Sequence, residues 1–498
     1  MISFGIDIGG TGCKCVAFRE DGSQLALAYK EYPLQAGATG LPASMLSEAV
    51  FEVISACAKQ LDNPQEVVAI TVSSFGESFV AVDANGEALT DILMYFGSAE
   101  GEKFDQLVSD IGEEAFMRIA LLKPETSYSL SKMLYTKQVS DRPVWKYLFI
   151  AGYIAYCLTG EACTDISLAC RSLLYDVKNR CWSKELLAAC GIEEVTLPRV
   201  LPTGGIVGPL LPAVAAKLQL PENVQVVMGS HDQIVNALGA GVAEIGDAVD
   251  TSGTCECVTP LFADIPNDFA FQKNNFACVP YLGDRGYVTY AYNISAGSVV
   301  RWCRDVLARY LDGKAEQHGK SVYDLLNEEC PDKPTSLMIL PFLQGMGGTP
   351  DVDANATGLI AGLTTETRVP DIYRAILEGI TFEMRYNQEK LAENGVELGR
   401  LYACGGGARS QVWLQIKADI LGCEILPVKA EETGAMGSAI LGLAAVTGRE
   451  PFEIASVFWQ YGEPIQPDSE RREYYNQRYE LYKTLRNLYT QHKNNQCL

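Results

Sequence analysis

The 498-residue sequence predicts an α/β chain folded into two similar lobes, and three observations carry that expectation. The chain is too long for one ordinary hydrophobic core, which rarely serves more than about 250–300 residues. A glycine-rich hairpin signal near the start, from Asp7 to Val16, has a short counterpart from Asp250 to Val258. Hydrophobic residues make up 48% and charged residues 20%, the proportions of a chain that packs a core rather than one that stays disordered.

From the N-terminus, Phe4 to Phe18 reads as two strands broken by Gly9-Gly10-Thr11-Gly12, a glycine-rich turn. Helical spacing follows over 46–61, then strands over 67–73 and 79–83. A helix containing 153–158 stops at Thr159-Gly160. A strand over 224–228 leads through Gly229-Ser230-His231-Asp232 into a helix from Gln233 to about Ala240. The second half restarts the grammar with a strand over 247–250, the tip Thr251-Ser252-Gly253-Thr254, and a strand over 255–259. Such repetition places a boundary near 242–246 and divides the chain into 1–243 and 244–498. Further on, Leu401-Tyr402-Ala403 runs into Cys404-Gly405-Gly406-Gly407-Ala408-Arg409-Ser410 and a helix over 412–421. Tyr475, Tyr479, Tyr482, Leu485 and Tyr489 recur at helical spacing, the core face of a closing helix.

Charge and cysteine content exclude several classes. The net charge of -22, from 62 acidic and 40 basic side chains, repels nucleic acids and anionic membrane surfaces, so neither is an expected partner. Met1 passes directly into a strand-like run without a basic leader, so no signal peptide is expected. The longest apolar stretch, 148–158, falls short of the ~20 residues that span a bilayer. Sixteen cysteines include no CxxC pair, and reduced, packed thiols in a cytoplasmic protein are the expected state. Cys13 and Cys15, and Cys255 and Cys257, lie in strand-like runs, with one of each pair expected to face a core. His231, His318 and His492 lack the spacing of a zinc site.

Three loops have the makings of phosphate sites, which an acidic chain must build locally from backbone N–H groups, a lysine and a divalent metal. Gly9, Gly10 and Gly12 let backbone amides approach an anion, Thr11 adds a hydroxyl and Lys14 a point charge; a plain glycine turn is the other reading. Asp7 beside that loop is placed to hold hydrated magnesium. Thr251 and Gly253 form a second loop of the same type, and Gly405 to Gly407 a third at a strand-to-helix turn. The run 313–321 imitates a P-loop, but it has one residue too many between its glycines and follows a helical pattern. Asp232, where a strand meets a helix, has two readings: a base that accepts a hydroxyl proton, or a helix N-cap. A direct pair with His231 is not expected, because neighbouring side chains diverge in an extended segment.

In order and context these residues resemble the FGGY family of carbohydrate kinases, and its xylulokinases most closely. The likeness runs through 5–14, Leu158-Thr159-Gly160-Glu161, 229–233, Thr251-Ser252-Gly253, 340–345, Leu377-Glu378-Gly379, and 405–410 with Trp413. It implies two ribonuclease-H-like, actin-like ATPase lobes with an interlobe active-site cleft, and ATP and Mg2+ as cofactors. By the same likeness Asp232 is the catalytic base, which weighs against the N-cap reading. Thr11 and the Asp7 loop match the first phosphate element, Thr251 and Gly253 the second. Gly297, Gly406, Gly407, Ala408 and Gln411 fall where the family holds the nucleotide. Gly76, Glu77 and Gln233 join Asp232 on the acceptor side.

The departures lie on that acceptor side. Gly76-Glu77 replaces the Met-His pair of xylulokinases; Glu77 is similar to the glutamate of glycerol kinases, but Gly76 stands where they carry arginine. Met94, Phe96 and Ser98 replace a Trp, Asp and Arg, and Met346-Gly347-Gly348 replaces a Glu-Arg after Gly345. The resemblance thus implies transfer from Mg-ATP to a hydroxyl of a small sugar or polyol, a ketopentose such as D-xylulose first. Other acceptors, sugar acids included, stay open, as do a kinase-derived regulatory protein and an ATPase acting on a protein client. Oligomeric state is not legible, a homodimer being among the open states.

Overall fold

The computed structural model describes residues 1–33, 40–94 and 101–494. Two sheets organise the chain, and the same rule builds each. In the first, β1 (Ile2–Ile8) and β2 (Gly12–Arg19) pair antiparallel across the glycine turn, and β3 (Gln24–Glu31) continues antiparallel. The chain then forms β4 (Val67–Ser74) parallel to β1, β5 (Ile206–Pro209) at an edge, and β6 (Gln225–His231) parallel to β4. The sheet order is β5-β6-β4-β1-β2-β3. β1 is central and nearly all buried, yet its sequence alternates Ile2, Phe4, Ile6 and Ile8 with the small or polar Ser3, Gly5 and Asp7, so both faces are covered although only one is built of large apolar side chains.

In the second sheet β7 (Asp247–Ser252) and β8 (Glu256–Phe262) form an antiparallel hairpin, and short strands at 279–280, 287–288 and 291–293 lie outside β8. On the other side β9 (Arg400–Cys404) is parallel to β7, and β10 (Glu424–Pro427) parallel to β9. Each half therefore repeats an antiparallel hairpin followed by parallel strands on the first strand's free side, the ribonuclease-H-like pattern expected.

Helices cover the sheets. On the first lie α1 (Ala43–Ala58) and α2 (Ile150–Thr159), the latter closed by Gly160 in the left-handed region at φ 82°. β6 runs without a loop into α3 (Asp232–Ala240). The second half adds α4 (Val369–Ala392), α5 (Gln411–Leu421), α6 (Thr433–Thr447) and α7 (Ser469–Asn494). Although α6 lies late in the chain, it packs on β1, β4 and α3 of the first half. Small residues make this contact possible: a Cβ on Gly5 would overlap the Ala435 carbonyl oxygen, and one on Gly437 the Val235 carbonyl oxygen. A division at 243/244 does not anticipate this helix crossing.

The cysteine expectation needs correcting. Cys13 and Cys15 are both fully buried, because positions two apart in a strand share a face. Cys255 sits in the β7–β8 turn, half-buried, and Cys257 is buried in β8. All described cysteines are unbonded thiols. The P-loop imitation at 313–321 is the body of a short helix, Asp312–His318, and the turn after it, with Gly319 capping that helix in the left-handed conformation and Ser321 capping the next. Among the described residues no helix is long and apolar enough to cross a membrane.

The tyrosine stripe of α7 buries Tyr475, Tyr479 and Tyr482 against α4. Ionic groups are buried with them: Glu378 accepts from Arg374 Nε at 2.8 Å and from the Tyr475 hydroxyl at 2.7 Å. Burial pushes the Glu378 carboxyl up to about 7. A folded-state pKa above the unfolded one means that the folded chain holds a proton between about pH 4.5 and 7 that the unfolded chain has released. That contribution to stability is complete below the unfolded pKa and is lost as pH rises through 7. Denaturant titrations of wild type and Glu378→Gln should show the wild type's advantage shrinking by roughly 2–3 kcal/mol from pH 4.5 to 7.5. A pH-independent difference would refute the assignment.

Candidate active site

A cavity of about 350 Å³ opens between the two halves. Gly10, Gly76, Glu77, Arg171, His231, Asp232 and Gln233 line it from the first half, Tyr290 and Gly348 from the second. Five of the residues singled out in the sequence (Gly10, Gly76, Glu77, Asp232 and Gln233) thus meet in one space. Phe96 and Ser98 lie outside the described residues.

Asp232 is the first residue of α3, and the residue in the N-cap position is His231. The capping role is therefore taken, and the Asp232 carboxyl faces the cavity instead. Its Oδ1 is buried and lies 3.0 Å from His231 Nδ1. This corrects the expectation that the two side chains diverge. His231 ends the strand in an extended conformation (φ -54°, ψ 137°) and Asp232 opens the helix, and across that junction the two side chains lie side by side rather than apart.

Asp7 is the last residue but one of β1 and lies beside the first turn, closed by Gly9 N–H donating to the Gly12 carbonyl at 2.9 Å. Burial raises the Asp7 carboxyl pKa against the pull of Lys14, and the carboxylates of Asp232 and Glu432 raise it further. Lys14 does not stand free for a phosphate: its Nζ lies 2.7 Å from Glu432 Oε2 and 3.5 Å from Asp7 Oδ2. Glu432 immediately precedes α6, and a Cβ on Gly434 would come within 3.4 Å of Asp7 Oδ2, so the positive end of that helix faces Asp7. Among the described residues no group of three or more His, Cys, Asp or Glu side chains is placed to hold a metal ion, so any cation here would rest on a single protein carboxylate, Asp7, with its other ligands from outside the chain.

The remaining sequence candidates gather around the second hairpin. Gly253 N–H donates to the Cys255 carbonyl at 2.9 Å, closing a tip that is exposed like Thr11. A Cβ on Gly297 would overlap the Gly253 carbonyl oxygen, and one on Gly405 would come within 2.7 Å of the Ser252 carbonyl oxygen. These glycines bring three backbone segments into contact. Gly406, Gly407 and Ala408 form one tight 3₁₀ turn, and Gln411 opens α5 behind Ser410, whose Oγ accepts from Trp413 N–H at 3.2 Å.

Several contributors carry no motif. Asn236, one turn into α3, donates to Thr251 Oγ1 at 2.6 Å and accepts from the Thr433 hydroxyl, tying α3, the second hairpin and α6 together. Arg171 reaches in from distant sequence, pairs with Glu77 and lies over the rings of Tyr128 and Tyr290 at 4.9 and 5.3 Å. It supplies a guanidinium beside Glu77 although Gly76 has none: a Cβ at position 76 would meet Arg171 Cγ at 3.1 Å. Glu77 itself has φ 62°, a left-handed conformation that costs a non-glycine residue about 1 kcal/mol or more and is held by Lys132, which donates to its carbonyl at 3.1 Å.

Two lobes of this topology, each offering a glycine hairpin, with a half-buried carboxylate between them, have the architecture of the actin-like ATPase class. The N-terminal domain of the FGGY family of carbohydrate kinases matches residues 2–239, and the C-terminal domain of that family matches 251–446. The chain belongs to this family and is a carbohydrate kinase; sugar kinases of this family use ATP. It is 26% identical to a xylulose kinase of Bacillus subtilis, over 98% of this chain and 97% of that one. Identity to a gluconokinase of Bacillus licheniformis is 27%, over 91% and 89% of the two chains. Among solved structures, ligand-bound xylulose kinase from Lactobacillus acidophilus superposes with a TM-score of 0.87 at 23% identity, covering 98% of each chain.

Proposed function

We propose that this kinase phosphorylates a neutral ketose or polyol, a ketopentose such as D-xylulose first, with Asp232 as the base. One observation carries the reading: a carboxylate at a helix start, released from capping and facing a cavity shared by both halves. The acceptor hydroxyl gives its proton to Asp232 as its oxygen forms the new bond to the γ-phosphorus. The bond from that phosphorus to the β-phosphate bridging oxygen breaks, and ADP leaves with the electron pair.

Asp7 would hold magnesium beside the first glycine turn, and the ion would supply charge neutralisation for the phosphates. The turn at Gly9, Gly10, Thr11 and Gly12 and the tip at Thr251 and Gly253 offer backbone N–H groups and hydroxyls to the phosphates. Lys14 swings to them when Asp7 and Glu432 are otherwise neutralised. Gly297, Gly406, Gly407, Ala408 and Gln411 form the nucleotide wall. In this reading 1–243 carries the acceptor and the base, and 244–498 the nucleotide. Gln233 and the Glu77–Arg171 pair orient the acceptor.

The described acceptor wall favours a neutral molecule. Glu77, Glu125 and Asp232 outnumber the single cation Arg171, which is already paired. A carboxylate substrate would enter against that field, whereas sugar hydroxyls can donate to those oxygens. ADP release with Mg-ATP across ketoses, aldoses, polyols and sugar acids tests the proposal. D-Xylulose is expected to exceed D-gluconate in kcat/KM by at least ~10-fold, about 1.4 kcal/mol of discrimination. A preferred sugar acid would overturn the acceptor assignment. No acceptor-dependent release at all would favour the regulatory alternative, and peptide-stimulated hydrolysis the protein-client one.

A further inference from the structure

We infer that Asn236 is a positioning residue for the nucleotide: its side-chain amide donates to Thr251 Oγ1 and so leaves the Thr251 hydroxyl hydrogen for a phosphate oxygen. The inference rests on the Thr251 tip being a phosphate site. Asn236 stands four residues after Asp232 in α3, so the two side chains share one face of that helix. Asn236 is buried. Its Nδ2 donates to Thr251 Oγ1 at 2.6 Å, and its Oδ1 accepts from the hydroxyl of Thr433, the first residue of α6. The Cys404 thiol, at the end of β9, closes the group at 3.7 Å from Nδ2 and 3.8 Å from Oδ1. One amide thus joins the helix of the base to the second hairpin, to the strand that enters the third glycine loop, and to the crossing helix.

A threonine hydroxyl has a single hydrogen to give. With Asn236 donating to its oxygen, Thr251 has two outlets for that hydrogen. One is Cys404 Sγ at 3.5 Å, a weak acceptor; the other is a group arriving from outside the chain. A phosphate oxygen is charged and forms the stronger bond. Thr251, last but one in β7, is only half-buried and so keeps a side open to such a group. A hydroxyl that already accepts one hydrogen bond is also the better donor, because linked bonds polarise one another. The bond from Asn236 therefore orients the Thr251 hydroxyl and holds the nucleotide's phosphates in register with α3, one turn from Asp232.

Titration with a non-hydrolysable Mg-ATP analogue, in the absence of acceptor, tests this. Asn236→Asp keeps the shape and the bond from Thr433 but removes the donor, and its carboxylate would take the Thr251 hydrogen for itself. It is expected to weaken binding of the analogue by about 10-fold or more. Asn236→Ala, which adds no charge, is expected to weaken it by about 3–10-fold. Adenosine has no phosphate, and its affinity should be unchanged in both variants. In a Thr251→Val background, Asn236→Asp should alter the analogue's affinity by less than about 3-fold, since no hydroxyl remains to orient. Equal losses in both backgrounds, or adenosine weakened as much as the analogue, would mean that Asn236 acts through charge or through the fold, and would overturn the inference while the phosphate site stands. So would unchanged affinity in Asn236→Asp, the result if Thr251 already gave its hydrogen to the amide. Unchanged affinity in Thr251→Val alone would remove Thr251 as a phosphate contact, and this inference with it.

Discussion

Asp232→Asn is expected to lower turnover by about 10²–10⁴-fold while leaving nucleotide affinity nearly unchanged. The amide keeps the shape of the carboxylate and its place at the start of α3, so the cavity and the hairpins should survive. What it loses is the lone pair that takes the hydroxyl proton. Without it the attacking oxygen must carry its proton further along the reaction coordinate, and general-base assistance of that kind is worth two to four powers of ten. Single-turnover ADP formation gives the chemical step, and equilibrium titration with a non-hydrolysable ATP analogue gives the affinity. If more than half of the wild-type turnover persisted with chemistry limiting the rate, Asp232 would not be the base.

Lys417→Met is expected to destabilise the protein by about 3–5 kcal/mol. Lys417 lies on α5 and is 1% exposed, as are Asp250 and Glu256, the two carboxylates it pairs with at the root of the second hairpin. Its Nζ also donates to Ser252 Oγ at 2.6 Å, and its charge lies 4.6 Å from the Trp413 ring centroid. Burial raises the Glu256 carboxyl, with Lys417 opposing and Asp250 adding to the rise, so removing the lysine leaves two like charges buried without a counter-ion. Replacing all three, as Asp250→Val, Glu256→Leu and Lys417→Met together, should recover most of the loss, because the cost lies in the unpaired charges and not in missing contacts. Thermal and denaturant unfolding would measure both. A loss below about 1 kcal/mol for the single variant, or none recovered by the triple one, would show that the triad is not the buried ion cluster described.

Both hairpins, the strand-to-helix step at Asp232 and the tyrosine helix were legible because each depends on neighbours in sequence: glycines at a turn, a periodicity, a small-residue tip. The N-cap ambiguity at Asp232 was local too, yet it yielded only to the backbone turn at His231, which a one-dimensional pattern cannot place. Arg171, Asn236 and Glu432 were missed for a different reason. Each acts on a partner far along the chain (Arg171 on Glu77, Asn236 on Thr251 and Thr433, Glu432 on Lys14), and no local rule links such positions. Lys14 shows the same limit, since its place beside the glycines was readable and its engagement with Glu432 was not. Gly76 was legible only as a departure from the family pattern on the acceptor side, and the packing of His231 and Arg171 around it shows that no side chain fits there.

The crossing of α6 over α3 and β1 sets the mechanics of the cleft. Backbone touches backbone there, with glycine on either side and no side chain to act as padding, so the halves cannot simply be drawn apart without opening a void along the whole seam. A swivel about that seam, like shears about a rivet, is the motion that would keep this backbone contact intact. The rivet ends at the chemistry, because the first turns of α3 and α6 carry Asp232, Asn236 and Thr433 and adjoin Asp7. Points close to a pivot move least. The blades can therefore spread at their tips to exchange sugar and nucleotide, while the atoms that must stay in register for proton and phosphoryl transfer sit near the axis and scarcely shift.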